Sequence, residues 1–118
     1  MTRELPPCRF WPNCVSSRSD AAARQRIEPF ALSGDPVAAF ARLKALVKEL
    51  PRTEIVTSSE DYLHAVCRTP RNFADDVEFR LHPEEGVIHV RSASRFGIGD
   101  IGVNRERVEA IRRRLQAT

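Results

Sequence analysis

Glycine, aromatic residues and long apolar runs are all scarce in this sequence, and each scarcity removes a class of protein. The 118 residues include five Gly, one Trp, one Tyr and six Phe. No aromatic residue follows Phe96, so the arginine-rich C-terminal end lacks the aromatic interleaving of a nucleic-acid binder. No apolar run approaches the roughly 20 residues that span a bilayer. The stretch from Met1 to Pro7 has no apolar core of a signal peptide, which predicts a cytoplasmic protein without a membrane segment. The three cysteines, Cys8, Cys14 and Cys67, are an odd number, which argues against a disulfide framework. Two unlinked thiols at Cys8 and Cys14 are therefore expected, with a reversible disulfide between them as the alternative.

What remains suits a globular domain. Hydrophobic residues make up 42% and charged residues 30% of the chain, the balance of a protein with a buried core. The formal net charge is +3. Its excess lies in Arg105, Arg107, Arg112, Arg113 and Arg114, offset locally by Glu106 and Glu109. A solvated helix face explains these arginines better than nucleic-acid binding does.

Residues 1–26, with Pro6, Pro7, Pro12 and the polar run Ser16 to Asp20, read as an irregular segment packed on a single domain over 27–118. A short helix near Ala21 to Arg26 fits this segment. Ile27 to Leu32 reads as a strand that Pro29 confines to a sheet edge. Asp35 as N-cap and Pro36 as first residue start a helix, in which Val37, Phe40, Leu43, Val47 and Leu50 form one apolar face. Four strands follow, over Glu54–Ser58, Tyr62–Thr69, Asp76–His82 and Val87–Ser94. Pro83 to Gly86 is a hairpin signal, with Gly86 free to take a positive φ. Asn104 is placed to cap a last helix carrying Val108, Ile111 and Leu115 as its apolar stripe. The fold class is α+β, in the order β-α-β4-α, with an antiparallel sheet and both helices on one face. TATA-binding-protein-like half-domains share this order, and a helix-grip fold is the alternative.

Alternation along the strands proposes a register. Val77, Phe79 and Leu81 share a core face, and the hairpin sets Leu81 opposite Ile88, Phe79 opposite Val90, Val77 opposite Ser92, Arg80 opposite His89 and Glu78 opposite Arg91. Leu63, Ala65 and Cys67 join the core. Tyr62, His64, Val66 and Arg68 then look outward, with His64 near Arg80 and Arg68 near Asp76. The resulting polar face needs no special cause on an open antiparallel sheet. As a site, its guanidinium groups suit carboxylate or phosphate.

Four segments carry a resemblance. Pro12-Asn13-Cys14-Val15-Ser16-Ser17, Asp61-Tyr62-Leu63-His64-Ala65, Asp75-Asp76-Val77-Glu78-Phe79, and Val90 to Arg95 with Gly102-Val103-Asn104-Arg105 together resemble domain-of-unknown-function family 1499. They run in the family's order over nearly the whole chain. The resemblance implies kinship and brings no activity with it. Its members often carry a membrane segment or targeting peptide before the domain, a pattern not seen here, and an aromatic-rich link where Pro70-Arg71-Asn72-Phe73 is more polar.

Tests of chemistry assemble no reaction centre. Cys8 and Cys14 lack the close spacing of a zinc pair, and His64 and Cys67 point to opposite faces, so no metal or other cofactor is expected. Cys67 reads as a core residue. No nucleophile elbow surrounds Ser16, Ser17, Ser92 or Ser94. Asp75 and Asp76 diverge on a strand, which predicts Asp76 paired with Arg68 and Asp75 capping a turn. Gly97-x-Gly99-x-x-Gly102 lacks the βαβ context of a dinucleotide loop, although an anion at the following helix, near Arg95 and Arg105, remains compatible with it. The expectation is a non-enzymatic binding module for an anionic small molecule or an acidic protein surface. Its candidate ligand residues are His64, Arg68, Arg80, His89, Arg91, Arg95, Asn104 and Arg105. The alternatives are a small hydrolase or transferase with His64 or His89 as base, or a thiol switch through Cys8 and Cys14.

Overall fold

The computed structural model describes residues 4–9, 12–95 and 102–117. Helix α1 (Pro36–Lys48) begins as its sequence dictates: the Asp35 carboxylate accepts from the Ala38 amide at 2.9 Å, and Pro36 follows where no donor is needed. Phe40, Leu43, Leu46 and Val47 are its buried face. Val37, expected on that face, is exposed, because it lies in the first turn, ahead of the residues that meet the sheet. Helix α2 (Val103–Gln116) buries Val108 and Ile111, and Leu115 packs at the edge of the same core.

The sheet is antiparallel and has six strands: β1 (Cys14–Ser16), β2 (Phe30–Ala31), β3 (Thr53–Ser58), β4 (Tyr62–Arg68), β5 (Ala74–His82) and β6 (Val87–Ser94). The order is β1-β6-β5-β4-β3, and β2 also pairs with β6. Short β1 and β2 therefore share one edge of β6, at its two ends. The opposite edge is β3, whose register against β4 shifts between Ile55 and Thr57. Both helices pack on the apolar face, where Phe40, Leu43, Val108 and Ile111 meet Leu63, Ala65, Val77, Phe79, Leu81, Ile88 and Val90 in one core. The α+β expectation is met; the short helix expected near Ala21 to Arg26 is a 3-10 turn at Ala23–Gln25, and β1 is added inside the segment read as irregular. The strand expected over Ile27 to Leu32 is reduced to Phe30–Ala31, after Pro29, at the edge.

The β5–β6 hairpin has the expected register at every pair, with Gly86 at φ 71° closing the turn. The β4–β5 register differs by two residues. Tyr62 lies opposite Arg80, His64 opposite Glu78 and Arg68 opposite Ala74. The turn between them is tight: Asn72 takes φ 70°, and the Thr69 amide donates to the Phe73 carbonyl at 2.9 Å. Arg68 thus ends beyond the reach expected toward Asp76. Asn104 is not the cap of α2, since Gly102 at φ 90° occupies that position. Cys8 and Cys14 are joined as a disulfide, with their Cα atoms 5.7 Å apart, against the expectation of unlinked thiols. Pairing of β1 on β6 fixes Cys14.

Candidate functional site

Three polar assemblies include the residues singled out from the sequence. The first is the open face of the sheet. Glu78 accepts from the Tyr62 hydroxyl at 2.5 Å and from Arg91 Nη1 at 3.1 Å. Asp76 accepts from Arg95 Nε at 2.9 Å, Arg95 Nη2 at 3.0 Å and His64 Nε2 at 2.7 Å. Arg80 donates to Asp61 at 3.1 Å and lies over the Tyr62 ring, 4.3 Å from its centroid. Burial alone would raise the Asp76 pKa, but its bonds from Arg95 and His64 outweigh this and hold it below the ordinary value. Burial, then the bond to Glu78, pushes the Tyr62 hydroxyl well above its ordinary range. Each of Arg80, Arg91 and Arg95 thus already has a carboxylate, and Asp76 pairs with Arg95 and His64 in place of Arg68. Arg68 stands exposed at the far end of β4. Residues 4–6 cross one end of this face, where buried Leu5, Pro6, Tyr62, Glu78 and Arg80 help line a cavity of about 520 Å³. The Arg18 guanidinium holds this crossing by donating to the Leu5 carbonyl.

The second assembly lies at the turn end of the same face. The 3-10 turn Pro83–Glu85 brings the Glu85 carboxylate back between two histidines. Glu85 Oε2 is 2.9 Å from His82 Nδ1, and Oε1 is 3.1 Å from His89 Nε2. The hydrogen bond from His89 is the main cause that lowers the Glu85 pKa. The imidazoles meet edge to face with centroids 4.7 Å apart, and His82 is only 3% exposed. His89 Nδ1 lies 2.8 Å from Ser17 Oγ. Serine, histidine and carboxylate here have the distances of a nucleophile relay. Ser17, however, is 0% exposed, and its Oγ accepts from the Val90 amide at 2.8 Å, so the hydroxyl is closed to a substrate. Beside this cluster opens a cleft of about 410 Å³, lined by Ser17, Arg18, Asp20, Arg26, Glu85 and His89 among others. Arg18 is committed to Asp20 at 2.7 Å. Among the described residues, Arg26 Nε is buried with no hydrogen-bond partner.

The third assembly is inside the molecule, between β6 and α2. Asn104, 1% exposed, accepts from Ser92 Oγ at 2.7 Å and from Arg107 Nη1 at 2.9 Å. Its amide donates to the Asn13 carbonyl at 3.1 Å and to Ser94 Oγ at 3.0 Å. Arg107 Nη2 reaches Asp75 Oδ2 at 2.6 Å. Asp75 therefore pairs with α2 rather than capping a turn. Arg105 donates to the backbone carbonyls of Arg24 and Arg26, both at 3.1 Å, and so ties residues 24–26 to the helix.

Of the eight expected ligand residues, His64, Arg80, Arg91 and Arg95 share the sheet face, His89 lies at its turn end, and Arg68 stands apart. Asn104 and Arg105 belong to α2 on the other side of the sheet. Gly97 and Gly99 lie outside the described residues. From the sequence, Ser17 is set aside for want of a nucleophile elbow, and Arg26, His82 and Glu85 are not among the expected ligand residues. His82-x2-Glu85-x3-His89, spaced across a hairpin signal, was the clue available for three residues of this group.

A family model described as "Protein of unknown function (DUF1499)" matches residues 4–115. No curated protein matches the sequence. The segments that carried the resemblance include Asn13, Asp75, Ser92, Ser94 and Asn104, which meet in the buried network joining α2 to the sheet.

Proposed function

The chain belongs to the DUF1499 family, and within it we propose that this protein is a binding module for a small anionic ligand, held in the cleft beside the β5–β6 turn. The observation that supports this is Arg26, which lines the cleft and whose Nε is buried without a hydrogen-bond partner among the described residues. A buried polar group without a partner is costly, and a carboxylate or phosphate oxygen would satisfy it with a charge-assisted bond. Arg80 and Arg91 on the sheet face share such a buried, unpartnered Nε among the described residues, but the arginines there are weaker candidates, because Asp61, Glu78 and Asp76 already take the charge of Arg80, Arg91 and Arg95. In the cleft, Arg18 occupies Asp20, and the two histidines occupy Glu85. Arg26 is thus the cation on which the reading rests, with His89 beside it.

The test is thermal shift with inorganic phosphate and sulfate, at ionic strength matched with chloride. Wild type should gain stability as the anion is raised, by the linkage expected when a ligand binds only the folded state. Arg26→Gln should lose that gain, while Arg91→Ala should retain it. A wild type indifferent to both anions, or an Arg26→Gln variant that responds equally, would refute the reading.

A further inference from the structure

We propose that His82, Glu85 and His89 form a binding site for a divalent transition-metal ion of the zinc class. Among the described residues, these three offer ligand atoms that all lie within 4.8 Å of one another. The two contacts to Glu85 are 2.9 and 3.1 Å. Ligand atoms about 2.0–2.1 Å from a tetrahedral ion stand roughly 3.3 Å apart. An ion therefore fits between these groups once the carboxylate contacts open by a few tenths of an ångström and the imidazoles draw together. Two imidazoles with one carboxylate select zinc, cobalt, nickel or copper over magnesium or calcium, which prefer oxygen alone.

The fold holds the donors in place from three directions. His82 ends β5, His89 lies on β6 across the hairpin, and Glu85 sits on the 3-10 turn between them. Ser17 supplies the support that a metal-bound imidazole commonly has. In the tautomer that leaves Nδ1 unprotonated, the Ser17 hydroxyl donates to His89 Nδ1 and the Nε2 proton goes to Glu85. With an ion on Nε2, the ring proton moves to Nδ1 and is donated to Ser17 Oγ. That oxygen already accepts from the Val90 amide and has two lone pairs, so both bonds fit. At His82, which faces Glu85 through Nδ1, the ring proton moves to Nε2, a buried atom with no partner among the described residues; loading thus requires a change of tautomer at both imidazoles and no change of strand register.

Three protein ligands leave one tetrahedral position for a water or an anion. Glu85 and His89 also line the cleft, so that position adjoins it. The metal site needs nothing from Arg26 and stands whether or not the anion reading does.

The experiment uses the full chain without a histidine tag, stripped with EDTA and dialysed, then titrated calorimetrically with zinc chloride and, for a spectroscopic readout, cobalt chloride. Wild type should bind a single equivalent, with cobalt giving the visible bands of an ordered nitrogen–oxygen site. Glu85→Gln, on the exposed turn, and His89→Gln should each weaken binding by about 10–100-fold or more. His64→Gln should bind like wild type, since His64 pairs with Asp76 away from the cluster. Arg26→Gln should also keep its metal, which separates this outcome from that of the anion test. Circular dichroism establishes that each variant is folded, and Glu85→Gln decides the matter if His89→Gln is not. Failure of wild type to bind an equivalent, or undiminished binding by Glu85→Gln, would overturn the proposal.

Discussion

Replacing Arg107 with Met removes the only charged partner that Asp75 has among the described hydrogen bonds, while keeping most of the side-chain bulk. The Asp75 side chain is 1% exposed; its Oδ2 is 2.6 Å from Arg107 Nη2, and its Oδ1 is buried with no hydrogen-bond partner among the described residues. Losing one member of a buried ion pair costs about 3–5 kcal/mol, because the other charge is left uncompensated. Little of that loss should come from Asn104 and Ser92, which keep their mutual 2.7 Å bond when Arg107 is gone. At roughly 3–5 °C per kcal/mol for a domain of this size, the melting temperature should fall by about 10–25 °C. Replacing Asp75 with Leu as well removes the stranded carboxylate. The double variant should therefore recover much of the loss, since a well-packed apolar pair is often as stable as a buried ionic one. Urea unfolding followed by circular dichroism, completed as a double-mutant cycle, measures the coupling. If Arg107→Met lies within about 0.5 kcal/mol of wild type, or the double variant is no more stable than Arg107→Met alone, the network does not anchor α2 as argued.

Two other perturbations test the segments around it. Asp76 has a folded pKa held below its ordinary value, so its stabilisation is present above the unfolded pKa and is lost as pH falls through the lower folded one. Wild type should accordingly lose stability more steeply than Asp76→Asn below about pH 4, and chemical denaturation across pH 2–6 checks this; parallel curves would contradict it. Reducing Cys8–Cys14, which closes a loop at a sequence separation of 6, should cost about 2 kcal/mol by chain entropy. Melting with and without dithiothreitol reads that shift, and an unchanged midpoint would show that the bond restrains nothing beyond what β1 pairing already fixes.

The core and its faces were legible because alternation and helical spacing each have a single apolar solution here. Phe79, Val77 and Leu81 could only point inward together, and the Pro83–Gly86 turn then set β6 against β5. The β4 register was not legible, for a related reason. A slip of two residues returns every side chain to the same face, so apolar matching could not separate Arg68 opposite Asp76 from the observed Arg68 opposite Ala74. Only the compact turn, with Asn72 at positive φ, decides between them. The disulfide was legible only as the alternative to unlinked thiols, because Cys14 is fixed by a three-residue strand too short to announce itself. The histidine–glutamate cluster was hidden differently. Its residues were visible, but the winding that returns Glu85 between His82 and His89 is a property of the turn and not of the strands.

The two ends of the sheet have a bearing on how copies of this protein meet. A strand edge is a row of unspent amides and carbonyls onto which another chain's strand could zip. At β6 that row is divided between β1 and β2. At β3 the row is accessible, but its irregularity between Ile55 and Thr57 breaks the straight run that a foreign strand would need. Growth by edge-to-edge polymerisation is thus hindered on both flanks of the sheet.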